Sequence, residues 1–308
     1  MLKQGSSSAA RESIRKHSRS FSFASRLLPA DRRGDVEKLY AWCRWCDDGV
    51  DMALSPAKAA IFVQQACDDL NRIAAGKPPM LPESGWLASL SVKYDLSMEA
   101  AKALLKGMES DLSPATPFSE DDLLTYCFQA AGSVGVLMCP VLGLRDLQFL
   151  PHAAALGMGM QLTNIARDVA EDWRRSRCYL PEEWTGGLRP GSTPPDPDRV
   201  QRGVVSVLSA ADGFYAAGEA GIHSLATGSQ LAVLAASRIY HQIGVRIKSN
   251  GFRVLERRAH VSFSGKIGLF ASCLFSRVLK TTQPALDENA VRCLDTAHRL
   301  LQQHGVMS

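Results

Sequence analysis

Apolar residues recur at spacings of three and four along most of this chain, with no convincing succession of alternating strands. Such spacing gives helices with one apolar stripe, and stripes of that kind are buried by packing helix on helix. The periodicity predicts helices over residues 7–16, 19–27, 32–54, 56–75, 84–92, 97–109, 119–142, 147–174, 199–224, 228–250, 264–279 and 285–303. Pro29, Pro56, Pro82, Pro114, Pro117, Pro140 and Pro151 punctuate most of the joints. The one long loop, residues 185–198, is rich in Gly and Pro. No internal repeat and no shift in composition marks a boundary, so a single all-α domain over residues 1–308 is expected, with residues 1–10 a flexible lead.

With 308 residues, 46% hydrophobic and 21% charged, the chain has enough material for one large core. The formal charge of +4, spread and interleaved with acids, argues against a nucleic-acid protein. Eight cysteines form neither a disulfide framework nor a zinc grouping, and Cys43 and Cys46 lie within a helical pattern, where they read as packing groups. Free thiols at this density fit a reducing cytoplasm. The N-terminus MLKQGSSSAA lacks the apolar core of a signal peptide. The longest apolar run, residues 267–279, is too short to span a bilayer. It reads as a buried helix, with a lipid-touching surface as the alternative.

Two rows of polar residues need explaining. In QLTNIARDVAEDW, Asn164, Asp168 and Asp172 fall four apart on one helical face, beside the apolar stripe of Met158, Leu162, Ile165 and Val169. In DVEKLYAWCRWCDDGVD, Val36, Tyr40, Cys43, Asp47 and Asp51 share one stripe, and Arg44 lies one turn before Asp48. Carboxylates beside a buried stripe are expensive to desolvate unless something positive sits among them. One solvated acidic face is ordinary; two rows, each bordering a core stripe, point instead to magnesium, a hard cation that takes oxygen ligands and shares its sites with phosphates. Other acids read differently. Asp121/Asp122 look like the charged first turn of a helix, Asp68/Asp69 look structural, and Glu109 and Asp111 stay ambiguous.

On these residues the chain resembles the squalene/phytoene synthases. The matching pieces are HSRSFSFASRLLP (17–29), LYAWCRWCDDGVD (39–51), YCFQAAGSVGVLMCPVLG (126–143), QLTNIARDVAEDWRRSRCYLPEEW (161–184), YHQIGVRI (240–247) and ERRAHV (256–261). The N-I-x-R-D-x-x-E-D block followed by R-x-R-x-Y-L-P is the most specific, and the pattern looks most like bacterial phytoene synthases. The resemblance implies an all-α isoprenoid synthase bundle with a central cavity and a role in isoprenoid and carotenoid biosynthesis. It also implies head-to-head condensation of two prenyl diphosphates through a cyclopropylcarbinyl diphosphate, yielding phytoene from geranylgeranyl diphosphate. The cofactor implied is magnesium, or manganese in its place, without NADPH.

By motif position the resemblance implies Asp47, Asp51, Asp168 and Asp172 as metal ligands, with the amide oxygen of Asn164 as a further one. Ser18, Ser20, Arg44, Arg177 and Arg258 are the expected diphosphate contacts, and Arg174 and Arg175 are candidates to share that work. Tyr126 and Tyr240 are expected at the reaction centre, where a ring can stabilise a cation, against the alternative of core tyrosines with satisfied hydroxyls. Gln161 either lines the cavity or makes a packing hydrogen bond. The small residues Ala130, Ala131, Gly132 and Gly135 either let a helix approach closely or leave room for a prenyl chain. Gly49 is unusual inside a helix and reads as a local distortion near the metals.

Three rivals remain open at this point: a C15-using squalene, diapophytoene or hydroxysqualene synthase, a non-catalytic scaffold relative, and a head-to-tail synthase. Both acidic motifs are intact, against the scaffold, and the R-x-R-x-Y-L-P block disfavours head-to-tail chemistry. No Gly-rich dinucleotide fingerprint appears, which disfavours NADPH. A cytoplasmic monomer or weak homo-oligomer is expected, with transient membrane contact to release an apolar product.

Overall fold

The computed structural model describes residues 19–112, 119–191, 194–278 and 285–308, and no strand occurs among them. The chain runs through α1 (Arg19–Ser25), α2 (Ala30–Asp51), α3 (Pro56–Ala74), α4 (Ser84–Tyr94) and α5 (Met98–Ser110). Then come α6 (Glu120–Cys127), a π-helical turn (Phe128–Gly132), α7 (Ser133–Leu142), α8 (Leu150–Arg174) and the single turn α9 (Glu182–Thr185). α10 (Pro197–Ala220), α11 (Thr227–Ser249), α12 (Phe263–Val278) and α13 (Glu288–Gln303) complete the bundle.

Local chemistry sets most of the helix starts. Ser55, before Pro56, accepts from the Lys58 amide, and Asp196, before Pro197, accepts from the amides of Asp198 and Arg199. Ser119 and Asp122 form a reciprocal capping box, which gives Asp122 the helix-start role expected of it. Asp69 is buried and accepts from the amides of Met80 and Leu81, a loop clamp, so that acid too is structural.

α8 is the central element, packing against α7, the π turn, α10, α11 and α13. From Ala154 to Met160 it is apolar or small all round, as a helix surrounded by others must be. The crossing with the preceding rod is made backbone to backbone. A Cβ on Gly157 would collide with the carbonyl of Ala131, and one on Gly135 with that of Ala153. The single helix expected over 119–142 is a rod over 120–142 whose register shifts at the π turn, where the Ser133 hydroxyl donates to the Gln129 carbonyl at 2.6 Å.

Two expectations are corrected. α2 passes through Gly49 as regular helix to Asp51, so Gly49 marks no distortion. A Cβ there would strike the Phe62 ring of α3, which lies flush on the glycine. α12 is not a buried helix: Lys266 and Cys273 are buried, but Phe263, Ile267 and Leu274 are exposed, because its one inner side finds α11 and its outer side finds too little to cover it. The helix expected over 7–16 lies outside the described residues. The Cys43 and Cys46 thiols are core groups, and burial pushes Cys43 up to about 12. Among the described residues, one stretch is long and apolar enough to cross a membrane, Glu120–Leu142, and it is mostly buried inside the bundle.

Candidate active site

An elongated cavity of about 400 Å³ runs between α2, α5, the α6–α7 rod, α8 and α11. The stripe Val36, Tyr40, Cys43 and Asp47 of α2 faces it, as does the α8 row Met160, Gln161 and Asn164. One end is polar, with Arg44, Asp47, Asp111 and Asn164; the other is lined by Phe149, His152 and Leu225. His152 and Asn164 stand twelve residues apart on one helix, so the cavity follows α8 for about 18 Å. Between the ends the walls are apolar or small, including Ala130, Ala131, Gly135 and Gly157. Both readings of the small-residue run therefore hold: it brings the helices together and it leaves open space beside them.

At the polar end the acids of α2 and α8 meet five guanidinium groups. Arg44 bridges Asp47 at 2.6 Å and Asp48 at 2.5 Å. Arg175 and Arg177 reach across from the end of α8 to Asp51, at 2.8 and 3.0 Å. Arg258, from the loop before α12, grips Asp168 at 2.7 and 3.1 Å, and Arg167 holds the same carboxylate. In the polypeptide itself, then, arginines are the positive groups among the acids. Among the described residues no three carboxylate, histidine or cysteine side chains converge on one metal position.

The acids are unequally neutralised. Burial pushes Asp168 up, but the hydrogen bonds from Arg167 and Arg258 outweigh it and hold the carboxyl below its ordinary range. One turn on, Asp172 is raised to about 7, first by burial and then by Asp168, with Arg177 opposing. Asp47 is raised to about 6, by burial and by Asp51, Asp48 and Asp111, against the pull of Arg44. Acid this crowded and this desolvated is unsettled by its own charge, the condition in which added cations bind.

Asp111, left ambiguous by its sequence, sits at the centre of the polar end. It accepts from Tyr179 at 2.6 Å and Tyr126 at 3.3 Å, whose rings stack at 4.7 Å. Burial raises its carboxyl despite those bonds. Asp111 caps α5 and extends its cavity-lining row Leu104, Gly107 and Met108, whose other members are apolar or small, so no repeat of carboxylates marked it in the sequence. Tyr179 and Arg167 were inside recognised motifs but carried no assigned role. Tyr126, Tyr240, Gln161 and Asn164 all line the cavity. Gln161 also accepts from the Asn164 amide at 3.3 Å, so its two readings coexist. Arg174 turns away, onto the Ala170 carbonyl. Ser18 lies outside the described residues, as does the side chain of Ser20.

A helical bundle folded round an apolar cavity with acids gathered at one end is the isoprenoid synthase architecture. The squalene/phytoene synthase family model matches residues 14–264, and the chain belongs to that family. It is 36% identical over 266 residues to a 15-cis-phytoene synthase of Paracoccus sp., spanning 84% of this chain and 87% of the relative. It is 32% identical over 289 residues to a phytoene synthase of Rhodobacter capsulatus, spanning 92% and 85%. In three dimensions it superposes on a dehydrosqualene synthase crystallised with a ligand, with a TM-score of 0.78 and 25% identity over 90% of this chain and 97% of that one. A squalene synthase from Alicyclobacillus acidocaldarius, at 22% identity and a TM-score of 0.70 over 80% and 94%, shares the fold.

Proposed function

We propose that this head-to-head prenyltransferase joins two geranylgeranyl diphosphates through a cyclopropylcarbinyl diphosphate to phytoene, releasing diphosphate. The observation that carries the reading is the cavity: it follows α8 for about 18 Å, is apolar or small between its ends, and ends where both acidic motifs converge. Its relatives named phytoene synthase support the C20 substrate over the C15 one.

The donor set fits a hard divalent cation. Its members are all oxygen, and the Asn164 Oδ1 is buried without a hydrogen-bond partner, while its Nδ2 is spoken for by Gln161. Asp47, Asp51, Asn164, Asp168 and Asp172 would hold magnesium, or manganese in its place. When bound, the cation offsets charge developing on the departing diphosphate. Arg44, Arg177 and Arg258 stand beside the same carboxylates and supply donors to phosphate oxygens, with Ser18 and Ser20 as further ones. The apolar walls keep water from an allylic cation, and the rings of Tyr126 and Tyr240 face the space where that cation forms. No step in this sequence needs a hydride, so NADPH has no part in it. We place the enzyme in the cytoplasm as a monomer or weak homo-oligomer that touches a membrane to release its product.

The test is a product assay with magnesium and either geranylgeranyl or farnesyl diphosphate, with and without NADPH, read by mass spectrometry of a hexane extract. A C40 hydrocarbon formed without NADPH is expected. A C30 product from farnesyl diphosphate alone would move the substrate to C15, and no product from either would leave the scaffold reading standing.

A further inference from the structure

The outer side of α12 is an apolar stripe. Phe263, Ile267, Phe270 and Leu274 follow one another at spacings of four, three and four, so they lie on one face. Phe263 is 68% exposed, Ile267 47% and Leu274 40%, side chains that a soluble surface rarely lines up. The helix has 16 residues, too short to span a bilayer and long enough to lie along one. Phe23 of α1 packs edge-on against Phe263 and Phe270, with both centroid distances 6.3 Å. The next residues of α1, Ala24 and Ser25, line the catalytic cavity. A single short helix therefore separates the cavity from the exposed stripe.

Charge selects the occupant. Residues 257–286 contain five basic residues and not one Asp or Glu, in a chain with 31 acids overall; of the five, Arg258 is held by Asp168 and Lys266 is buried, while Arg257 is exposed. Arg253, just upstream and 4.0 Å from Glu256, is exposed, as is Arg26 at the end of α1. An apolar helix face inside an acid-free, basic stretch matches the boundary of an anionic bilayer, where acyl chains meet phosphate headgroups.

We propose that α12 is the membrane-docking element, lying in the headgroup boundary of an anionic bilayer. There it sets the α1 wall of the cavity against lipid, so that a hydrocarbon product leaves by that side. The exit route rests on the proposed function; the docking surface does not.

The test is flotation with vesicles of phosphatidylcholine alone and of phosphatidylcholine mixed with phosphatidylglycerol, at low and high salt. The proteins compared are the wild type, the variant Phe263→Glu/Ile267→Glu/Leu274→Glu, and the milder variant Ile267→Ser/Leu274→Ser, which removes no aromatic contact with α1. The wild type is expected to float with the mixed vesicles and less with the neutral ones, and its partition should fall about tenfold or more in the triple variant. Product formation by both variants in detergent micelles should stay near the wild-type rate, with slowed release of hydrocarbon into vesicles. Wild-type protein that stays with the unbound fraction overturns the proposal, as does equal flotation of wild type and both variants. If the wild type instead sediments as a dimer that the variants dissolve, and does not float, the stripe is a contact between copies and the proposal fails. Flotation without any product from either diphosphate would uphold the docking surface while removing the proposed function.

Discussion

Asp168 and Asp172 show how one helical row supplies two different carboxylates. Two guanidinium groups hold Asp168 ionised, whereas Asp172 makes no such pair and is raised to about 7. Asp168→Asn keeps the shape and removes the charge. Turnover should fall by about 10²-fold or more, with the helical circular dichroism unchanged; near-normal turnover would remove Asp168 from the metal set. Asp111 became legible in three dimensions, because it ends an apolar row of α5 instead of repeating along an acidic one. Asp111→Asn should lower kcat by about tenfold or more, since it unbalances the Tyr126–Tyr179 stack that lines the cavity, and single-turnover kinetics would show it. Away from the site, Asp35 is also buried. That pushes its carboxyl up, but hydrogen bonds from Lys93 and Tyr94 outweigh the effect and hold it below the ordinary value. A depressed folded value means the native state binds fewer protons, so the stabilisation is present above about pH 4 and lost as the pH falls below it. Asp35→Asn should be less stable than the wild type at pH 7, and the two urea midpoints should converge toward pH 3.

Helix limits were well marked in the sequence because caps and prolines are local. The cap at Ser55 before Pro56, the capping box at Ser119 and the helix start at Asp287 act within a few residues of themselves. What the sequence did not carry at this scale was the reason for particular glycines. Gly49 accommodates the flat face of Phe62, and Gly157 accommodates the Ala131 carbonyl. The partner differs, and so should the response. Gly49→Ala should destabilise by about 1–3 kcal/mol, and the loss should shrink when Phe62 is replaced by Leu, a coupling visible in a double-mutant cycle. Gly157→Ala meets backbone, which no side-chain change relieves, so its loss of thermal midpoint should exceed that of Gly49→Ala. The π turn at Phe128–Gly132 was invisible in the periodicity, since a one-residue register shift leaves apolar positions apolar. It is anchored from the far end of the chain: His304 Nδ1 donates to the Leu300 carbonyl, leaving Nε2 to accept from Gln129.

Across the whole molecule, the excess of crowded, half-buried carboxylates over guanidinium groups at one end of the cavity makes the native state a better cation binder than the unfolded chain. Magnesium should therefore raise the thermal midpoint in a saturable way. A double variant, Asp168→Asn/Asp172→Asn, should lose most of that rise, and a midpoint indifferent to magnesium in the wild type would argue against a cation site here. By itself the sequence determined the helical class, most helix limits, both acidic rows and the identity of the residues in them, because period, capping and spacing are properties of neighbours along the chain. Only the tertiary structure decided which arginines face which acids, that Asp111 and Tyr179 join the polar end, and that α12 leaves an apolar face outside. Those outcomes depend on helices distant in sequence meeting at particular angles, and a helical pattern specifies which face is buried without specifying what lies opposite it.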